Sequence, residues 1–407
     1  MRSLVVIGAG LAGSQAVAAA RALGWDGHLT VLGAEGLAPY DRPPLSKEMF
    51  DRTSPAWLRD ELGSDLSSAD DVRLAEPATG ISAHAESVRV RTARGVIDAD
   101  AVVLATGSCP VLPPRWHART LRTAPDAASL RADLGQGRRL TVIGAGWIGA
   151  EVAGVAAVAG AEVTVVEAGS APLVSALGPE VGERTRRWYA AAGVRLLTDA
   201  AAASVDEPGG RVRLADGSVL ETDVVLAAVG ARPDSEWLAL SLPVRHDGSV
   251  VVDERWQVPD THGRIAAVGD LARRRSPRHG WVGGGHWDAA LRGPELAVRT
   301  LLLGPDHGAV APGDDPAPYV FSTQLGHDLG LLGRPGQDDE VVFRDGPDGW
   351  AAVWFRHGAT TVTAVLGVDR PRDVSAARKL FSGPELPCLD RNLAADPAVA
   401  LRSAQIG

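Results

Sequence analysis

A chain that places the same glycine-spaced turn twice between a strand and a helix has few folds open to it. Residues 5–14 read VVIGAGLAGS, and residues 142–151 read VIGAGWIGAE. In the first copy an apolar run, 4–7, leads into Gly8, Gly10 and Gly13, then an Ala-rich helical stretch to about Leu23 and a second apolar run at 29–32. In the second copy a run at 140–143 leads into Gly144, Gly146 and Gly149, a helical stretch to about Ala159, and a run at 163–166 that ends at Glu167. Such units predict parallel sheets with crossover helices. One glycine makes the tight turn, one lets backbone approach a pyrophosphate, and one lets helix and strand pack closely. The helix N-terminus, here Leu11 and Ala12 in one copy and Trp147 and Ile148 in the other, offers free N–H groups and a positive dipole. An acid ending the second strand accepts hydrogen bonds from a ribose diol. Two such devices imply two dinucleotides.

The copies differ at that acid. Glu167 is followed by AGSAPLVSALGPE, which holds no Arg or Lys to meet a 2′-phosphate, so NADH is expected there over NADPH. In the first copy Gly33 occupies the equivalent position, and Glu35, next to Ala34, becomes the expected ribose ligand.

With 407 residues there is room for about two to four domains. Hydrophobic residues make up 45% and charged residues 22%, the balance of a soluble globular chain. The net charge of −9 argues against binding nucleic acid or an anionic membrane. Only Cys109 and Cys388 are present, which excludes a disulfide scaffold and a CxxC or CxxxxC redox pair. The apolar N-terminus is broken by glycines at fingerprint spacing, so it reads as strand, turn and helix rather than a signal peptide. No clean apolar run is long enough for a membrane span. A cytoplasmic setting is expected; the sequence fixes no oligomeric state.

Residues 38–50, APYDRPPLSKEMF, form a stiff segment: Pro43 and Pro44 restrict the backbone and lead into a helix near Ser46. This segment resembles the PYxRPPLSK motif of the FAD-dependent NADH:ferredoxin and rubredoxin reductases. The likeness continues through VVLATGSCP (102–110), LRTAPDA (121–127), VVLAAVGARPD (224–234) and RIAAVGDLA (264–272). HWDAALRG (286–293) and PYVFSTQ (318–324) match more loosely.

The resemblance implies a glutathione-reductase-like α/β fold. An FAD-binding domain would comprise 1–112 and 245–316, an NADH-binding domain 113–244, and a small α+β C-terminal domain 317–407. It also implies roles. Asp270 and Arg122 would hold the flavin side chain, and Trp287 would bring its backbone to the flavin ring. Lys47 would pair with Glu151 beside flavin and nicotinamide. Arg42, Ala78, Ala105, Thr106 and Gly107 would complete the FAD site, and Gly230 the NADH site. Trp147 is a candidate for the nicotinamide wall. Several positions depart from the family pattern: Ala34, Gly285, Ala289, Ala290, Phe321, Thr323 and Leu325. Most lie where the flavin would meet its acceptor.

A flavin accepts a hydride and releases electrons singly, so it can join NADH to an iron–sulfur protein. A ferredoxin-type partner is therefore expected, with direct action on a small organic molecule as the alternative; a flavin-holding protein with slow turnover is a third reading. The run LARRRSPRHGW (271–281) is either a solvated loop or a basic patch, including Arg273, Arg274 and Arg275, that docks an acidic partner. His279, His286 and His327 have no metal-ligand spacing, so no metal is expected. Cys109 reads as a small buried residue. After EVVFRD, GWAAVWFRH and TTVTAVLGV, which predict antiparallel strands, a helix is expected from near Asp373 to Gly383, and a loosely ordered tail beyond Leu386.

Overall fold

A computed structural model describes residues 1–206, 210–304 and 312–406. The two expected strand–turn–helix units are present, each in its own parallel sheet. The first sheet runs Ile265–Ala267, Ala101–Leu104, Ser3–Ile7, His28–Leu32 and Asp71–Arg73 across its width. The second runs Arg195–Leu197, Glu162–Val166, Arg139–Ile143 and Val224–Ala227. In both, the strand before the glycine turn is central and almost wholly buried, as continuous Val, Leu and Ile runs require when helices cover both faces. Each sheet is accompanied by a three-stranded antiparallel meander, spanning 78–99 in the first case and 202–221 in the second.

The chain crosses between the sheets twice, and the crossings pair with each other. Ser108–Pro110 and Ala231–Pro233 form a short antiparallel ribbon, with Cys109 opposite Arg232. Beyond the return strand, Leu238 and Leu242 already enter the core of the first sheet, so the stretch 237–244 packs there rather than on the second sheet.

The third sheet is antiparallel, ordered Tyr319–Gln324, His327–Gly333, Val362–Val368, Trp350–Phe355 and Glu340–Asp345. The helix Pro371–Leu380 covers one face, while Leu173, Val181 and Trp188 from the second unit pack on the other side.

Two expectations need correction here. The tail after Leu386 is built into the fold: Leu389, Ala394, Leu401 and Ala404 are buried against Phe355 and Leu380, and Leu389 bridges Gln405. Buried Arg344 holds the tail by donating to the carbonyls of Ala394, Asp396 and Val399. The basic run is likewise neither a solvated loop nor a patch. Ala272–Ser276 is a strand, and its pleat turns Arg274 inward to an ion pair with Asp315 at 2.6 Å, the two side chains 3% and 5% exposed. Arg278 joins the same carboxylate at 3.3 Å, and Arg273 pairs with Asp247 at 2.9 Å. Arg275 alone of the three consecutive arginines is exposed.

Candidate active site

Both glycine turns open into one cavity of about 1320 Å³ between the parallel sheets, with Tyr319, Val320 and Phe321 of the third sheet on its wall. The helices Leu11–Ala22 and Trp147–Val158 begin at this cavity, and neither has a side chain capping its first N–H groups. At Gly10 and Gly146 a side chain would meet no protein atom within 4 Å and would instead take up cavity space. The other glycines are enclosed. A Cβ on Gly8 would lie 2.1 Å from the Ala105 carbonyl, and on Gly144 2.4 Å from that of Ala228. Gly13 and Gly149 stand behind the turns, where a Cβ would strike the Gly8 and Gly144 carbonyls at 1.9 and 2.0 Å. Each turn therefore leaves a bare cradle with donors aimed outward, which suits a diphosphate.

At the first cradle, Leu11, Ala12, Ala34, Glu35, Ala78 and Ala105 line the cavity, as do Thr106 and Gly107. Glu35 is firmly oriented: Tyr40 donates its hydroxyl to one oxygen at 2.5 Å and Arg42 donates to the other. Arg42 also donates to the Arg122 carbonyl at 2.6 Å. Burial pushes the Tyr40 phenol up to about 12, so it stays a donor. Asp270 accepts from Ser108 Oγ at 2.8 Å, from Arg122 Nη2 at 3.1 Å and from the Gly285 amide at 3.0 Å.

At the second cradle, Trp147, Ile148, Glu167 and Gly230 line the cavity. Glu167 accepts from the Ala145 and Gly169 amides, each at 2.7 Å, which fixes the carboxylate beside the turn.

Between the cradles, Lys47 Nζ lies 2.6 Å from Glu151 Oε1. Glu151 is only 4% exposed, so its charge depends on these partners. Ser46 donates to its Oε2 at 2.5 Å, and Ser322 donates to Oε1. Gln324 in turn donates to Ser322 at 3.0 Å. Lys47 also faces the Phe321 ring, 5.2 Å from its centre. Trp287, at the start of the helix Trp287–Leu303, donates its indole N–H to Asp41 at 2.7 Å and meets Phe321 edge-on.

Every residue nominated from the sequence lines this cavity except Gly13 and Gly149, which back its turns. Sequence reasoning missed Asp41, Ser46, Ser322 and Gln324. The last two carried no signal of their own, since 322–324 is uniformly polar; only the pleat of the strand Tyr319–Gln324 turns Ser322 and Gln324 inward while Thr323 faces out. Cys109 is corrected: it is an exposed residue of the crossover ribbon at the cavity, beside Asp234, with burial of its sulfur the first cause of a raised thiol pKa. His279 packs against Phe381, His286 lines the cavity, and His327 pairs with Asp369 at 2.6 Å. Among the described residues no group of three or more metal-ligating side chains comes together.

The family model "Pyridine nucleotide-disulphide oxidoreductase" matches residues 2–294, and "Reductase C-terminal" matches residues 319–405. Rhodocoxin reductase of Rhodococcus erythropolis is 32% identical over 99% of this chain and 94% of that protein. The ferredoxin–NAD(+) reductase component of the anthranilate 1,2-dioxygenase system of Burkholderia cepacia is 32% identical over 98% of each. The reductase in the crystal structure of the covalent putidaredoxin reductase–putidaredoxin complex superposes with a TM-score of 0.87, at 27% identity, over 99% of this chain and 98% of that one.

Proposed function

The chain belongs to the pyridine nucleotide-disulphide oxidoreductase family, and from that membership we propose that it takes a hydride from NADH onto FAD and passes single electrons to a ferredoxin-type iron–sulfur protein serving a P450 or a dioxygenase. The observation that carries this reading is the single cavity joining two uncapped glycine cradles, with no cysteine pair between them. When bound, FAD supplies the exchange of one two-electron step for two one-electron steps.

The protein's own work is to hold and orient. The N–H groups above Gly10 would meet the FAD diphosphate and Glu35 its ribose, while Asp270 and Arg122 would hold the flavin side chain and Trp287 its ring. The N–H groups above Gly146 would meet the NADH diphosphate, with Glu167 at the ribose. Lys47 and Glu151 form an ion pair where the two rings would converge, and that pair would set the local potential beside them.

Electrons must leave toward a partner. Exposed arginines stand near the cavity's third-sheet side: Arg378 covers the ring of cavity-lining Tyr319 at 4.2 Å, and Arg292 pairs with Asp288, next in sequence to cavity-lining Trp287; Arg334 donates to the Trp281 carbonyl. On a chain of net charge −9 these arginines favour an acidic protein over an uncharged organic substrate. The electron-transfer names of the relatives favour the same choice. No helix among the described residues is long and apolar enough to cross a membrane, and a cytoplasmic location belongs to this proposal.

The test is NADH-dependent cytochrome c reduction by the yellow holoprotein with and without an added ferredoxin. Activity that depends on ferredoxin, with a KM raised at low salt by Arg334→Ala and Arg378→Ala, supports the reading. Equal rates without ferredoxin, or a protein that takes up no flavin, would refute it.

A further inference from the structure

The loop after Glu167 holds no Lys or Arg through residue 180, but the fold brings in a cation from further along the chain. Arg186, on the helix Pro179–Ala191, reaches back to this loop. Its Nη2 donates to the Ser170 carbonyl at 2.6 Å and its Nη1 to Thr198 Oγ1 at 3.0 Å. Ser170 follows Gly169, whose amide holds Glu167, and Ala200, two positions beyond Thr198, lines the cavity. A guanidinium therefore stands on the loop that follows the carboxylate read above as the ribose ligand.

That guanidinium is already engaged. Its Nε donates to both carboxylate oxygens of Glu183, at 2.9 and 2.8 Å, across less than one helical turn. Asp199, exposed, donates its amide to the Gly169 carbonyl at 2.9 Å, so with Glu167 and Glu183 three carboxylates belong to the segments that meet Arg186. A 2′-phosphate brings close to two more negative charges and would find no free cation there.

We propose that Glu183 is a specificity-determining residue for the coenzyme: by holding Arg186 in an ion pair, it withholds from a 2′-phosphate a cation that reaches the loop after Glu167. Glu183 acts through Arg186 and is a positioning residue. The inference rests on the reading that Glu167 faces the adenosine ribose of NADH.

Glu183 is 60% exposed, so Glu183→Gln preserves the fold while removing the charge. In the holoprotein, kcat/KM for NADPH is expected to rise about tenfold, the worth of one charged hydrogen bond. The gain falls in KM rather than kcat, because the adenosine end is remote from the transferred hydride; NADH kinetics stay close to those of the parent. Inhibition by adenosine 2′,5′-bisphosphate strengthens by a similar factor, inhibition by 5′-AMP does not, and added salt erodes the difference. Adding Arg186→Met to Glu183→Gln abolishes the gain. If Glu183→Gln leaves the NADPH-to-NADH ratio unchanged while Glu167→Gln relaxes it, the inference is overturned and the ribose reading stands. If Glu167→Gln also leaves the ratio unchanged, both are overturned.

Discussion

Lys47 and Glu151 are 104 positions apart in the chain, yet their charged atoms lie 2.6 Å from each other. Three segments meet at this pair: the stiff proline loop supplies Lys47 and Ser46, the second fingerprint helix supplies Glu151, and the third sheet supplies Ser322. Losing the lysine would leave a nearly buried carboxylate with only its serine partners. Lys47→Met should therefore lower stability by roughly 2–4 kcal/mol. Glu151→Gln should cost less, because the amide keeps its serine contacts. Urea unfolding of the two single variants and the double variant measures both effects; a Lys47→Met protein as stable as its parent would show that the pair is not needed to hold the segments.

Arg274 and Arg275 are neighbours with opposite fates. Arg274→Met leaves Asp315 with less compensation in the interior and should destabilise the fold by roughly 3 kcal/mol. Arg275→Ala, on the exposed face of the same strand, should change stability by less than about 0.5 kcal/mol. Thermal melts of the two variants side by side decide the matter, and equal melting temperatures would contradict the inward pairing.

Burial lowers His279 from its ordinary 6.5 to about 4, and its Nε2 is buried without a hydrogen-bond partner. The folded state keeps this ring neutral while the unfolded chain takes up a proton below 6.5. Its contribution is thus present above pH 6.5 and is lost as pH falls toward 4. At pH 5 the loss should be roughly 1–2 kcal/mol. His279→Leu should flatten that part of the stability–pH curve; a curve of unaltered slope between pH 6.5 and 5 would assign the acid sensitivity elsewhere.

Leu389 is fully buried beneath the last turn of the chain. Leu389→Ala should cost roughly 2–4 kcal/mol, as for other core truncations. Limited proteolysis should then cut the tail beyond Leu386 first. Resistance equal to that of the parent would mean the tail is held by Arg344 alone.

What could be read in advance followed the range of the forces involved. The two cradles were legible because strand, turn and helix N-terminus are contiguous, and glycine at those spacings has few other uses. The Lys47–Glu151 pair was reached through family likeness, since nothing local in either segment names its partner. The arginine strand was misread because its inward face carries Arg274 and Ser276 instead of apolar side chains, leaving no hydrophobic alternation to see. Its explanation, Asp315, lies about forty residues away. The tail failed for a related reason: its order depends on carbonyls offered to Arg344, and backbone acceptors have no sequence signature.

The antiparallel ribbon Ser108–Pro110 with Ala231–Pro233 brings the entrance and exit of the second sheet to a single point. An inserted unit that leaves and returns through one doorway can be exchanged without re-routing the rest of the chain. With Glu167, Glu183 and Arg186 all inside that unit, the proposed coenzyme choice would be modular with respect to the flavin half, and a cassette cut at the doorway would carry its own preference into a new host.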